Sequence, residues 1–140
     1  MALDNIFGIA GSALNAQTAR MNATASNLAN AGAVASTESG AFRAKRTTFK
    51  TIMEQQLGSP DVNKGGVKVA GSTDDPKPIS RMSDPGNPAA DKDGYVYLSN
   101  VNEMTEMVEM MAAARSYQNN VEVVNTARQL TLRTLDIIKS

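Results

Sequence analysis

The chain has 140 residues, 14 of them basic and 14 acidic, so its formal net charge is +0. No bulk charge draws it toward nucleic acid or an anionic membrane surface. It has no His and no Cys, which removes the commonest general base, the commonest metal ligand, disulfides and thiolate nucleophiles together. Aromatics are 4% with no Trp, so Ala and the 8 Met must do most of the filling, a composition suited to close helix packing.

No run of 18 apolar residues exists, so no membrane span is expected. The stretch from Ile6 to Leu14 is apolar and Ala23-Thr24-Ala25 imitates a cleavage site. Yet the first basic residue is Arg20, and Asp4 stands where a Lys or Arg belongs. A cleaved signal peptide is therefore not expected.

Residues 3–30 read as one helix. Steps of four and three from Leu3 land on Phe7, Ala10, Leu14, Gln17, Met21, Thr24 and Leu28, a 3.5-residue repeat that needs a partner helix. Gly8, Ser12 and Ala16 form a narrow strip where another backbone could approach. Asp4 suits the positive end of the helix dipole, and Asn30 or Gly32 is available for a left-handed cap.

Residues 31–41 read as a loop. Residues 42–57 stay ambiguous: 42–49 alternate weakly, as a strand would, while Phe49, Ile52, Met53 and Gln56 fit helical spacing equally well. Val67-Lys68-Val69-Ala70 and Tyr95-Val96-Tyr97-Leu98 read as short strands bounded by Gly, and 79–82 as a possible third. All five Pro fall within 60–88, which excludes a helix there.

A second long helix is predicted over about 101–138, with Asn100 and Glu103 in capping-box spacing. Glu103, Glu106 and Glu109 load its start, and Arg128, Arg133 and Lys139 its end, complementing the macrodipole. Its stripe runs Met107, Met110, Ala114, Tyr117, Val121, Val124, Arg128, Thr131, Leu135 and Ile138. The expected fold is mainly α with a small β insertion. Residues 1–32 and 100–140 pair as one discontinuous, coiled-coil-like helical domain, and 33–99 form a central loop and β-hairpin element.

No constellation points to catalysis. Asp91-Lys92-Asp93-Gly94 looks like part of a calcium loop, but Ala89 and Asn100 occupy the first and twelfth positions, so a solvated turn is the better reading. Asp74 and Asp75 adjoin Pro76 with no sequence neighbour to split their pKa values. The basic cluster Arg43, Lys45, Arg46 and Lys50, interleaved with Phe42 and Phe49, could in principle face nucleic acid. In a neutral chain, a solvated strand face or an ionic seam with acidic neighbours is favoured. No cofactor, metal or small-molecule substrate is expected.

Ser26-Asn27-Leu28-Ala29-Asn30-Ala31 closes the first helix and resembles the Asn-x-Ala-Asn signature of bacterial flagellar rod and hook proteins. Leu98-Ser99-Asn100-Val101-Asn102 leading into Glu106-Met107-Val108 resembles the start of that family's C-terminal helix. Arg115-Ser116-Tyr117-Gln118-Asn119-Asn120 and the Val121 to Ala127 stretch are similar to its proximal rod members, as are Phe42-Arg43-Ala44-Lys45-Arg46, Gly66-Val67-Lys68-Val69 and Asp84-Pro85-Gly86-Asn87-Pro88. Distal rod proteins usually continue the Asn signature with Thr-Pro-Gly-Tyr. This chain instead runs from Gly32 to Gly40 and then Phe42, and its shortness also fits a proximal member.

The resemblance implies a basal-body rod subunit without enzymatic activity, exported unfolded and without a cleaved signal through the flagellar type III apparatus. It implies helical polymerisation through the terminal helices into a torque-transmitting, periplasm-spanning shaft whose wall encloses the export channel. The implied partners are further copies, proximal and distal rod proteins, and the junction protein between MS ring and rod. The alternative is an adaptor or export-related flagellar protein that binds rod subunits through the same helices. Residues expected to carry assembly are Leu3, Phe7, Gly8, Ser12, Leu14 and Met21 with Asn27, Leu28, Ala29 and Asn30. In the second helix they are Met107, Met111, Tyr117, Gln118, Val121, Val124, Asn125, Leu132 and Leu135. Polar stripe positions (Gln17, Thr24, Arg128 and Thr131) read as contacts to other subunits.

Gly8 and Gly11 each disfavour the first helix by about 1 kcal/mol relative to Ala. It should therefore be largely unfolded in the free monomer and order on assembly. Circular dichroism of dilute monomer is expected to show much less helix than two complete terminal helices require.

Overall fold

A computed structural model describes residues 2–52 and 65–139. Two long helices bracket five strands: α1 Ala2–Ala29, β1 Val34–Ala35, β2 Lys45–Thr51, β3 Val67–Asp74, β4 Arg81–Ser83, β5 Tyr95–Leu98 and α2 Glu103–Lys139. The chain is thus mainly α with a small antiparallel β insertion. The ambiguous stretch resolves as strand through Thr51, while Met53, Gln56 and Leu57 lie outside the described residues.

α1 stops without the left-handed cap expected at Asn30 or Gly32. Among the described residues, positive φ occurs only at Gly65, Gly66, Gly71 and Gly94. The helix tightens instead, with Asn30 N bonding Ser26 O and Asn27 O, and Ala31 N bonding Leu28 O. Asn30 Nδ2 donates to the carbonyl of Ser26 at 2.8 Å, so a side chain supplies the donor that a left-handed turn would have supplied.

The start of α2 also differs. Asn102, not Asn100, is the N-cap: its Oδ1 accepts from Thr105 N at 3.0 Å, and its carbonyl takes the first helical bond from Glu106 N. Asn100 lies two residues too early and its side chain is engaged elsewhere.

The β insertion is two sheets rather than one. β1, β5 and β4 form an antiparallel sheet in that order, and β2 pairs with β3 in a second. Val34 faces Leu98 and Ala35 faces Tyr97, while Met82 faces Val96. β1 falls in the segment read as loop, because a two-residue strand carries no periodic signal. Val96, at the centre of its sheet, is fully buried, and the Arg81 guanidinium lies 4.8 Å from the centroid of the Tyr95 ring. The turn before β5 needs glycine. At Gly94 φ is +79°, and a Cβ would stand 3.2 Å from Pro85 Cγ.

The chain packs as two compact units. One comprises Arg20–Thr47 and Ser72–Met111. In it the end of α1 runs antiparallel to the start of α2, with Asn27 meeting Glu106 and Arg20 meeting Glu109. The other comprises Met1–Ala19, Thr48–Gly71 and Ala112–Ser140. There the strip of small residues on α1 is approached by the chain's own backbone: Ser12 Oγ accepts from Val67 N at 3.1 Å. Gly66 lies so close that a Cβ would meet Ser12 Oγ at 2.8 Å.

Along α2 the covered face is rotated from the predicted stripe. Glu106, Ala113 and Ala127 are buried, and Met110, Tyr117, Asn120, Val124 and Thr131 half-buried. At Glu106, Ala113 and Ala127 burial is deeper one residue before the predicted Met107, Ala114 and Arg128, while Ala114 and Val121 of the predicted stripe are half-buried. Met107, Arg128, Leu135 and Ile138 are exposed. On α1 the predicted stripe is the covered face, with Ala10 and Thr24 buried and Phe7, Leu14, Gln17, Met21 and Leu28 half-buried. A seam built on Ala lets the helix axes approach closely, which larger knobs would prevent.

Replacing Asn102 with Ala should destabilise the protein by about 1 kcal/mol, the usual worth of an N-cap. Urea unfolding checks this, and Asn100→Ala should behave differently, losing contacts to the central strands rather than helix initiation.

Candidate assembly site

The unit of Arg20–Thr47 and Ser72–Met111 is organised around a buried carboxylate. Glu106 lies in the first turn of α2, where the helix dipole favours negative charge, and it is 0% exposed. Asn27 Nδ2 donates to its Oε2 at 2.9 Å, and an Arg46 terminal nitrogen donates to its Oε1 at 2.7 Å. Arg46 Nε reaches Asp75 Oδ2 at 3.1 Å. One guanidinium on β2 thus joins α2 to the segment after β3.

Asn27, also 0% exposed, does more than pair with Glu106. Its Oδ1 accepts from Lys45 N at 2.7 Å and its Nδ2 donates to Lys45 O at 3.0 Å. A primary amide is the shortest side chain with both an acceptor and two donors. It replaces a neighbouring strand at the start of β2. Ser would offer one donor where Asn27 uses two, and an ionised Asp would offer none.

Asn100 plays the matching part on the other flank. Its Oδ1 accepts from Ala44 N at 2.7 Å, and its Nδ2 donates to the carbonyls of Asp75 at 3.1 Å and Lys77 at 3.0 Å. Arg43 donates to the same carbonyls, at 3.4 and 2.9 Å. Lys45 pairs with Asp74. Lys45 and Arg46 of the basic cluster therefore form an ionic seam with acidic neighbours while Arg43 bonds backbone carbonyls, and Asp74 and Asp75 have separate partners.

Burial of the Arg46 guanidinium works against its charge, but hydrogen bonding to Asp75 and the charge and hydrogen bond of Glu106 outweigh it. The net effect raises its pKa above the ordinary arginine value. For Asp75, the backbone N–H of Lys77 is the largest influence. Together with Arg46 it overcomes burial and holds the carboxyl below its usual 3.8. A depressed folded-state pKa stabilises the fold fully above the unfolded value and is lost as pH falls through the folded one.

Outside this network, α2 exposes apolar side chains in two groups. Met104 and Met111 are each 73% exposed, with Met107 and Val108 between them also exposed. Leu130, Leu132, Leu135 and Ile138 are exposed toward the C-terminus, with mainly polar residues such as Arg115, Gln118, Glu122 and Asn125 exposed between the two groups.

The residues expected to carry assembly divide accordingly. Met107, Met111, Gln118, Asn125, Leu132, Leu135 and Ala29 are exposed and open to a neighbour; Tyr117, Val121, Val124, Phe7, Leu14, Met21, Leu28 and Asn30 are half-buried. Ser12 and Asn27 are engaged within the chain, Gly8 is half-buried, and Leu3 lies in the first turn of α1. Of the polar stripe positions, Thr24 is buried and donates to Arg20 O, so it serves the chain's own packing rather than a neighbour. Thr131 donates to Ala127 O, and Gln17 Oε1 is buried without a hydrogen-bond partner. Only Arg128 is an exposed position of that set.

Asp91 caps a turn, its Oδ1 accepting from Asp93 N and Tyr95 N at 2.9 Å each. Among the described residues no group of three acidic side chains is placed to hold a metal ion, and no helix is long and apolar enough to cross a membrane. Sequence reasoning missed Glu106 and Asn100 as structural centres. The available signal was an acid one residue from the seam register, facing a basic cluster with no other use.

Replacing Asp75 with Asn should lower stability at neutral pH and flatten its dependence on pH below about 4, since the proton-linked contribution disappears. Urea midpoints at several pH values for both proteins test this.

The two ends that pair in this fold are the segments that match known families. Residues 7–33 match the family "Flagella basal body rod protein", and residues 92–137 match "Flagellar basal body rod FlgEFG protein C-terminal". The chain is 48% identical to the flagellar basal-body rod protein FlgC of Yersinia enterocolitica and 47% identical to that of Salmonella typhimurium, in each case over 98% of both chains. It is 45% identical to FlgC of Buchnera aphidicola from Acyrthosiphon pisum, again over 98% of both. With Asn27 in one matched segment and Glu106 in the other, bonded to each other, the chain belongs to the FlgC family of flagellar basal-body rod proteins.

Proposed function

We propose that this chain is a structural subunit of the flagellar basal-body rod, one that polymerises helically through α1 and α2. The observation that carries this reading is the pair of exposed apolar groups on α2, one at Met104, Met107, Val108 and Met111 and the other from Leu130 to Ile138. Soluble monomers seldom leave so many large apolar side chains open, and such groups mark interaction surfaces. The Met-rich part can adapt to non-identical neighbours, which suits contacts to other rod proteins and to the junction protein at the MS ring as well as to further copies.

In this reading 1–32 and 100–140 form the axial module and 33–99 the element it carries. Torque passes along the packed helices, and the clasp of Asn27, Glu106, Arg46 and Asn100 transmits it to the strands. The subunit reaches the periplasm-spanning rod through the flagellar type III apparatus without a cleaved signal, and lines the export channel. Its work is mechanical, not catalytic.

Deleting residues 1–30 should abolish incorporation into the basal body. Purified basal bodies of the wild type should contain several copies per structure, whereas an export adaptor would be absent from them. Normal rods assembled by the deleted chain would reject the proposal.

A further inference from the structure

The unit containing both ends of the chain holds a groove and a knob that cannot meet within one molecule. The groove, of about 370 Å³, is lined by Ile6 of α1 and by Val123, Thr126 and Leu130 of α2. Its one charged wall residue is Glu122, with Asn119 beside it. The knob is the end of the same helix. Residues 132–139 of α2 are helical and each is exposed, Leu132 by 52%, Leu135 by 48% and Ile138 by 75%. It offers Leu132, Leu135 and Ile138 with Arg133 and Lys139 against a single Asp136.

A straight helix cannot bend its last two turns back onto its own middle. The knob can therefore reach such a groove only on another molecule. Charge and shape select the occupant: an aliphatic helical segment with net positive charge fits an apolar groove edged by one carboxylate. The chain carries such a segment itself.

We propose that the C-terminal end of α2 of one copy docks into the Ile6–Val123–Leu130 groove of a second copy, with Arg133 or Lys139 beside Glu122. This deepens the rod-subunit reading, on which it rests, by naming the surfaces that join neighbours. Knob and groove are different surfaces, so the contact is heterologous and each docked copy presents a fresh knob. Such a contact propagates instead of closing into a dimer.

The absence of native Cys makes the test direct. Two differently tagged full-length copies, one with Thr126→Cys and the other with Leu135→Cys, are co-expressed and basal bodies are oxidised. A disulfide between the two copies is expected. Adding Glu122→Lys to the groove copy should lower its yield about fivefold, and adding Arg133→Glu and Lys139→Glu to the other copy should restore it. No link between copies, a link only to a different rod protein, or a yield indifferent to these charges overturns the contact. If the tagged copies nevertheless sit in the basal body, the rod-subunit reading stands. Their absence from it rejects that reading instead.

Discussion

A carboxylate with no access to water constrains this fold more than any apolar contact does. Glu106 is fully hydrogen-bonded only while Asn27 and Arg46 are both in place, and these arrive from α1 and β2, 79 and 60 residues away. Removing one partner of a buried charge costs about 3–5 kcal/mol, whereas a well-packed apolar substitute is often neutral. The network therefore adds little net stability but excludes alternative arrangements. α1, β2 and α2 must come together at one point or leave a charge stranded.

That requirement explains the character of the surrounding seam. The largest fully buried side chains are Glu106, Val96 and Asn27, and the other buried seam positions are Ala and Thr. Close-packed small residues bring helices together without defining which residue meets which. Definition comes from hydrogen bonds whose geometry admits one solution, with Asn27 clamping both backbone atoms of Lys45 and Asn100 holding Ala44, Asp75 and Lys77. Other large side chains, among them Met104, Met107, Met111, Leu130, Leu132 and Leu135, are exposed on α2. The division of labour is consistent with a subunit that takes its internal order from polar contacts and gives its hydrophobic surface to neighbours.

Much of this was legible beforehand because long helices write themselves in period. The extent of α1 and α2, the α1 stripe, the strands at Val67 and Tyr95 and the turn at Asp91 all follow from spacing and turn chemistry. Along α2 burial is deepest one residue before the predicted stripe at Glu106, Ala113 and Ala127, because periodicity alone does not distinguish exposed apolar side chains from core. The misassigned caps have the same root. Asn30, Asn100 and Asn102 are chemically alike, and which one caps a helix depends on what else each amide can reach.

The sequence by itself determined that two long helices with apolar stripes at a 3.5-residue repeat bracket a small β insertion, that His- and Cys-based chemistry is absent, and that the stripes need partners. Only the tertiary structure decided where the polar residues are spent. Asn27, Arg46, Asp75, Asn100 and Glu106 are far apart along the chain, and nothing local marks them as a set. Buried donors and acceptors must be matched in space, and that matching exists only once the strands have carried the middle of the chain back to the foot of the helices.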